Sequence, residues 1–177
     1  MATAVDVMRY ITAKKDISGE VQLQKLMYYA QSWALAWDGR PLFAERIEAW
    51  QLGPVVPTIR HRDDAPDATT LTPSEAATVD AVLEYYGSQW GWQLGRLSHN
   101  EAPWKDVWGD RPTNSRCSDE ITQDAMRRFY TSEAIAGRGP ERPEMTEAQR
   151  EATAEETSAA AAQGADEWRR ALELLSE

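Results

Sequence analysis

Apolar residues recur along most of the chain at three- and four-residue steps, the spacing of an amphipathic helix. Ala4, Val7, Met8 and Ile11 mark a short first helix. Leu23, Leu26, Met27, Ala30, Ala34 and Trp37 continue the rule over four turns, predicting a helix from about Val21 to Trp37. Asp38-Gly39 ends it, because glycine tolerates the left-handed backbone at a helix C-terminus. Each helix shows one apolar stripe, so both are expected to lie against a common core. "TPSE" is the clearest helix start: Thr72 caps, Pro73 suits the first helical position and Glu75 closes a capping box. Ala76, Val79, Leu83 and Tyr86 then face inward up to Gly87. Trp90, Leu94 and Leu97 mark a further helix, Pro103 opens a short one, and Ser118 is expected to cap a last one to about Glu133, with Ile121, Ala125 and Phe129 inward.

The period changes once. Over "IEAWQL", Ile47, Ala49 and Gln51 alternate with Glu48, Trp50 and Leu52, which suits a short strand. Pro54 cannot donate to a ladder, so pairing stops there or lies at an edge. Val56 is extended by the proline that follows, and Pro57 is placed to open a helix. "RDDAPDATT" then reads as an exposed loop. The domain is therefore expected to be mainly α, with one small β element.

Composition narrows the picture. The 177 residues carry a net charge of −10, which argues against binding a nucleic-acid backbone and favours a basic partner. Residues 138–177 hold 5 basic and 10 acidic side chains, half of that excess. They begin within "GRGPERP", Gly137 to Pro143, which reads as a linker. The expected division is residues 1–136 as one domain and 137–177 as linker plus an acidic helical extension. In that extension Trp168, Leu172 and Leu175 form an apolar stripe after a capping box of Thr146 and Gln149. The stripe either seats in a partner's groove or folds back on the domain. No apolar run is long enough to span a bilayer, and the N-terminus lacks the pattern of a secretory signal, so a cytoplasmic location is expected.

At this point the motifs become specific. Leu23-Gln24-Lys25-Leu26, Tyr28-Tyr29-Ala30-Gln31, Gly39-Arg40-Pro41-Leu42-Phe43 and Ile47 through Pro57, with "LSHNEAPW" from Leu97 to Trp104, occur in order. The chain from about residue 5 to 134 resembles the Panacea antitoxin domain, also known as the SocA-like or phage-associated GepA-like domain. One departure is Gln22, ahead of Gln24-Lys25, where the family often has Lys. The resemblance implies an antitoxin of a toxin–antitoxin system that neutralises a protein toxin by direct stoichiometric binding. It also implies an alternative, since one branch of the family hands its toxin to an AAA+ protease. It implies a place in phage defence; the residues themselves show no catalytic constellation or nucleotide-binding motif, so no cofactor and no catalytic role are expected.

The motif residues Lys25, Tyr28, Tyr29, Gln31, Trp50, Gly53, Pro54, Val55, His99 and Trp104 are thus candidates for structural or partner-facing roles. Gly53-Pro54 reads chiefly as a rigid corner that orients a contact surface, with a binding rim as the alternative. Tyr28 and Tyr29 point about 100° apart on a helix, so one is expected at the centre of the buried stripe. The other, with Gln31 or Lys25, either faces a partner or sits at the core edge with its hydroxyl wet. His99 and Glu101 offer acid–base chemistry, but His99 reads more simply as bracketing the corner from Leu97 to Trp104. One Cys and two His do not supply a zinc site, and Cys117 stands in no reactive motif. An enzyme with an unrecognised site is the second alternative function.

Overall fold

The central element is a helix of which polar and apolar sides are both buried. In the computed structural model, which describes residues 1–64 and 71–144 and beyond them only positions 158, 169 and 170, α1 spans Ala4–Lys14 and α2 spans Glu20–Asp38. Every residue of α2 from Gln22 to Leu35 is buried. It packs against α1, against α3 (Pro73–Tyr86), α4 (Gly91–His99) and α6 (Gln123–Ile135), and against strand β2 (Gly53–Val55). Hence the apolar stripe locates the helix, yet its remaining faces are covered too. Tyr28 and Tyr29 are both 0% exposed, which corrects the expectation that one of them reaches the surface. The physical reason is enclosure: when neighbours surround a helix, residues 100° apart are both interior.

The other helices follow their local signals. Thr3 and Thr72 each form a capping box, with Asp6 and Glu75. Gly39 takes φ 68° at the end of α2, as its position predicts. A 3-10 helix spans Pro57–Asp64, and α5 spans Ala102–Trp108. Two expectations fail. Ser118 does not cap α6. Glu120–Ile121 instead form strand β3, with Ile121 opposite Ile47, and Thr122 Oγ accepts from the Ala125 amide to start the helix. Ile121 is buried as expected, on the strand, while the inward positions of the helix shift by one from Ala125 and Phe129 to Met126 and Tyr130. A β-branched residue one step before a capping threonine was available to a neighbouring strand, and pairing with β1 outweighed one more helical turn. Trp90, expected inward, is 60% exposed because it precedes α4 as the N-cap.

Among the described residues the sheet has three antiparallel strands in the order β2-β1-β3, with β1 at Ile47–Trp50. Pro54 lies in the edge strand β2, where its missing donor costs least. The chain divides into two compact units, Met1–Pro143 and Glu144–Glu177. Within the first, Gly139 lies against the Trp33 ring, Pro140 is buried and Arg142 pairs with Asp38 at 2.8 Å. Trp168, Leu172 and Leu175 lie outside the described residues.

Candidate functional site

The hairpin β1–β2 and the helices behind it form the site. Trp50 stands opposite Gly53, joined by Gln51 and Leu52. Neither linking residue has positive φ, so the turn's left-handed conformation falls on Gly53, at φ 98°. A Cβ there would lie 2.7 Å from both Lys25 Cε and Ser98 Oγ. The glycine is therefore required twice, by its backbone angle and by the close approach of α2 and α4. The corner reading of Gly53-Pro54 thus has a geometric basis.

Lys25 and Trp104 tie the hairpin down. Lys25 Nζ donates to the Pro54 carbonyl at 2.6 Å, and Trp104 Nε1 donates to the Trp50 carbonyl at 2.9 Å. Trp104 stacks between His99 and Trp108, with ring centroids at 4.1 and 4.9 Å. Trp50 Nε1 donates to Glu48 at 2.7 Å, and the Arg60 guanidinium lies over the Trp50 ring at 5.0 Å. So Lys25, Trp50, Gly53, Pro54, His99 and Trp104, far apart in sequence, meet at one hairpin. Val55, 7% exposed, lines the pocket beside it.

Burial governs the electrostatics of the site. Burial lowers the Lys25 ammonium to a pKa of about 7. His99 is also held below its usual range, by burial first and then by the nearby Lys25 charge, while a hydrogen bond with the Gln51 backbone opposes the shift. Its Nε2 is buried and makes no hydrogen bond among the described residues. His99 and Glu101 do not work as a pair. Glu101 turns away into a tyrosine cluster, accepting from Tyr130 Oη at 2.7 Å and Tyr29 Oη at 3.3 Å. Burial raises its carboxyl to a pKa of about 7, although both tyrosine hydrogen bonds favour the ionised form. Tyr29 stacks on Tyr86 at 4.1 Å, and Tyr28 meets Tyr130 edge-on at 5.9 Å. Tyr28 and Tyr29 therefore belong to the core behind the site.

Gln31 is interior as well. Its amide accepts from Leu42 N at 2.8 Å and Phe43 N at 3.2 Å and donates to Phe43 O at 2.8 Å. Gln24 grips Val56 in the same way, with bonds of 2.7 and 3.3 Å, and Gln22 holds Gly87 and Gln89 carbonyls. Three buried amides of one helix thus fix three connections. The sequence signal for this was the polar residues inside an apolar helix; an amide reads equally well as a solvated face until the neighbours are known.

Residues 23–105 match the family model of the antitoxin SocA-like Panacea domain. That segment is similar to the Panacea family. Neither a curated protein nor a solved structure matches the chain. All ten motif residues fall within the matched span of the Panacea domain, whereas α6, which supplies Tyr130 to its core, lies beyond it. The family points to a toxin–antitoxin related role, to a non-enzyme and to a protein partner such as a toxin. No described helix is long and apolar enough to cross a membrane. Among the described residues, no group of three or more His, Cys, Asp or Glu is placed to hold a metal ion.

Outward from this core, the surface carries apolar side chains. Leu52 at the hairpin tip is 60% exposed, and Trp92 on α4 is 64% exposed with Arg96 over its ring. Gly95 brings α4 against the Leu52 carbonyl, so tip and helix are neighbours. Two pockets flank the tip. One of about 480 Å³ runs along Trp50, Gln51 and Ser115–Ser118, with the free Cys117 half-buried in its wall. The other, of about 310 Å³, is lined by Glu20, Gln24, Lys25, Trp50, Leu52 and Arg60, among others.

Proposed function

We propose that the protein is the antitoxin of a toxin–antitoxin pair and neutralises a cognate protein toxin by direct stoichiometric binding. The Panacea match over residues 23–105 carries this reading. The geometry supports a binding module: buried Lys25 and Trp104 tie the hairpin to α2 and α5, α4 packs against its tip at Gly95, and Leu52 and Trp92 stand exposed there. Rigid aromatic anchors on a fixed surface contribute disproportionately to protein association. The tail stripe of Trp168, Leu172 and Leu175 is proposed as a second contact.

The test is co-expression with the product of the adjacent gene. The expected outcome is growth rescue with a co-purifying complex of fixed stoichiometry. Absence of both sinks the reading. Rescue that vanishes in a host lacking AAA+ proteases assigns the protein to toxin delivery for degradation instead.

A further inference from the structure

Lys25 is buried to 1% exposure, yet the Pro54 carbonyl is the acceptor of its one hydrogen bond among the described residues. An ammonium carries three donors, and a charge removed from water is normally matched by an opposite charge. Among the described residues, no carboxylate lies within ion-pair distance of Lys25 Nζ. Glu20 lines the same pocket but pairs with Arg60 at 2.9 Å. The Gln24 amide, also lining it, is committed to Val56. Lys25 is thus a pocket-lining residue with unused hydrogen-bonding capacity that is charged below a pKa of about 7, while the walls are largely apolar: Val21, Trp50, Leu52 and Val55.

That combination selects among ligands. A phosphate, with its larger charge and full shell of acceptors, would meet largely apolar walls and an Arg60 already paired with Glu20. A single carboxylate on a short apolar stem suits both the apolar walls and Lys25. We propose that this pocket receives an aspartate or glutamate side chain of the protein partner, which completes the ion pair that Lys25 lacks. The inference rests on the reading that the partner is a protein. It also implies a proton signature. An arriving carboxylate favours the charged form of Lys25, so complex formation takes up a proton above neutral pH.

Two measurements decide it. In the first, the full chain carries lysine labelled at the ε-carbon, and NMR follows the Lys25 titration with added propionate, with propionamide as the uncharged control. The titration midpoint is expected to rise with propionate and stay put with propionamide. An unmoved midpoint at saturating propionate overturns the proposal. In the second, Lys25→Met keeps the stem and removes the ammonium. Its affinity for the toxin is expected to fall about tenfold or more, because the partner's carboxylate is left without its cation. Wild-type affinity in a folded Met variant overturns the proposal while leaving the antitoxin reading intact. Should the variant fail to fold, the propionate titration of the wild-type chain decides alone. If the adjacent gene product does not bind at all, the antitoxin reading fails, and the propionate result still reports on the pocket.

Discussion

Substituting Gly53 by alanine perturbs the site at one atom. The residue holds φ 98°, where an L side chain is strained by about 1–3 kcal/mol. The added Cβ would also lie 2.7 Å from Lys25 Cε, 2.7 Å from Ser98 Oγ and 3.0 Å from Lys25 Nζ. These are side-chain ends, which normally give way cheaply. Here both are held: Lys25 is bonded to the Pro54 carbonyl, and Ser98 is 0% exposed and bonded to the Gly95 carbonyl. Overpacking of this kind costs about 1–3 kcal/mol more. A combined loss of about 3 kcal/mol lowers the melting temperature of a chain this size by roughly 6–12 °C. Gly39→Ala is the control, since Gly39 has φ 68° with nothing within 4 Å of its would-be Cβ. It carries the backbone cost alone, about 1–2 kcal/mol. Thermal melting by circular dichroism of both variants separates the two contributions. Equal melting temperatures would show that the contact with Lys25 and Ser98 is irrelevant. A Gly53→Ala protein that melts with the wild type would refute the whole account of the corner.

Three further outcomes are expected. Gln31→Leu preserves bulk but strands the Leu42 and Phe43 amides and the Phe43 carbonyl, so denaturant titration should show a loss of about 3 kcal/mol or more; a loss under about 1 would mean water replaces the amide. The Glu101 carboxyl has a pKa of about 7 in the fold against an ordinary 4.5, so the folded state holds its proton more tightly and stability falls as pH rises from 4.5 to 7. The loss is roughly 3 kcal/mol by linkage, and Glu101→Gln should flatten the stability–pH curve over that window; an unchanged slope would refute the assignment. Truncation after Glu144 should leave a folded first unit with near-native melting, because Gly139, Pro140 and Arg142 are retained against Trp33 and Asp38, while affinity for the toxin drops; unchanged affinity would remove Trp168, Leu172 and Leu175 from the contact.

The local elements were legible in the chain because their signals are local. Thr72-Pro73-Ser74-Glu75 starts α3 wherever it is placed, since the cap, the proline and the box act within one turn. Gly39 ends α2 and Pro54 sits at a sheet edge by the same kind of short-range constraint. The ordered motifs from Leu23 to Trp104 likewise identified the family before any contact was known. What the sequence could not settle was which sides of α2 are covered. A helical period reports the strongest apolar face, and it is silent on whether Lys25, Tyr28, Gln24 and Gln31 meet water or a neighbouring backbone. That depended on α1, α3, α4, α6 and the hairpin closing around the helix from distant positions. The same non-local pairing made Glu120–Ile121 a strand beside Ile47 in place of a first helical turn. The tertiary structure alone determined that Lys25 and His99 share one corner, because their proximity is a product of packing and leaves no trace in spacing along the chain.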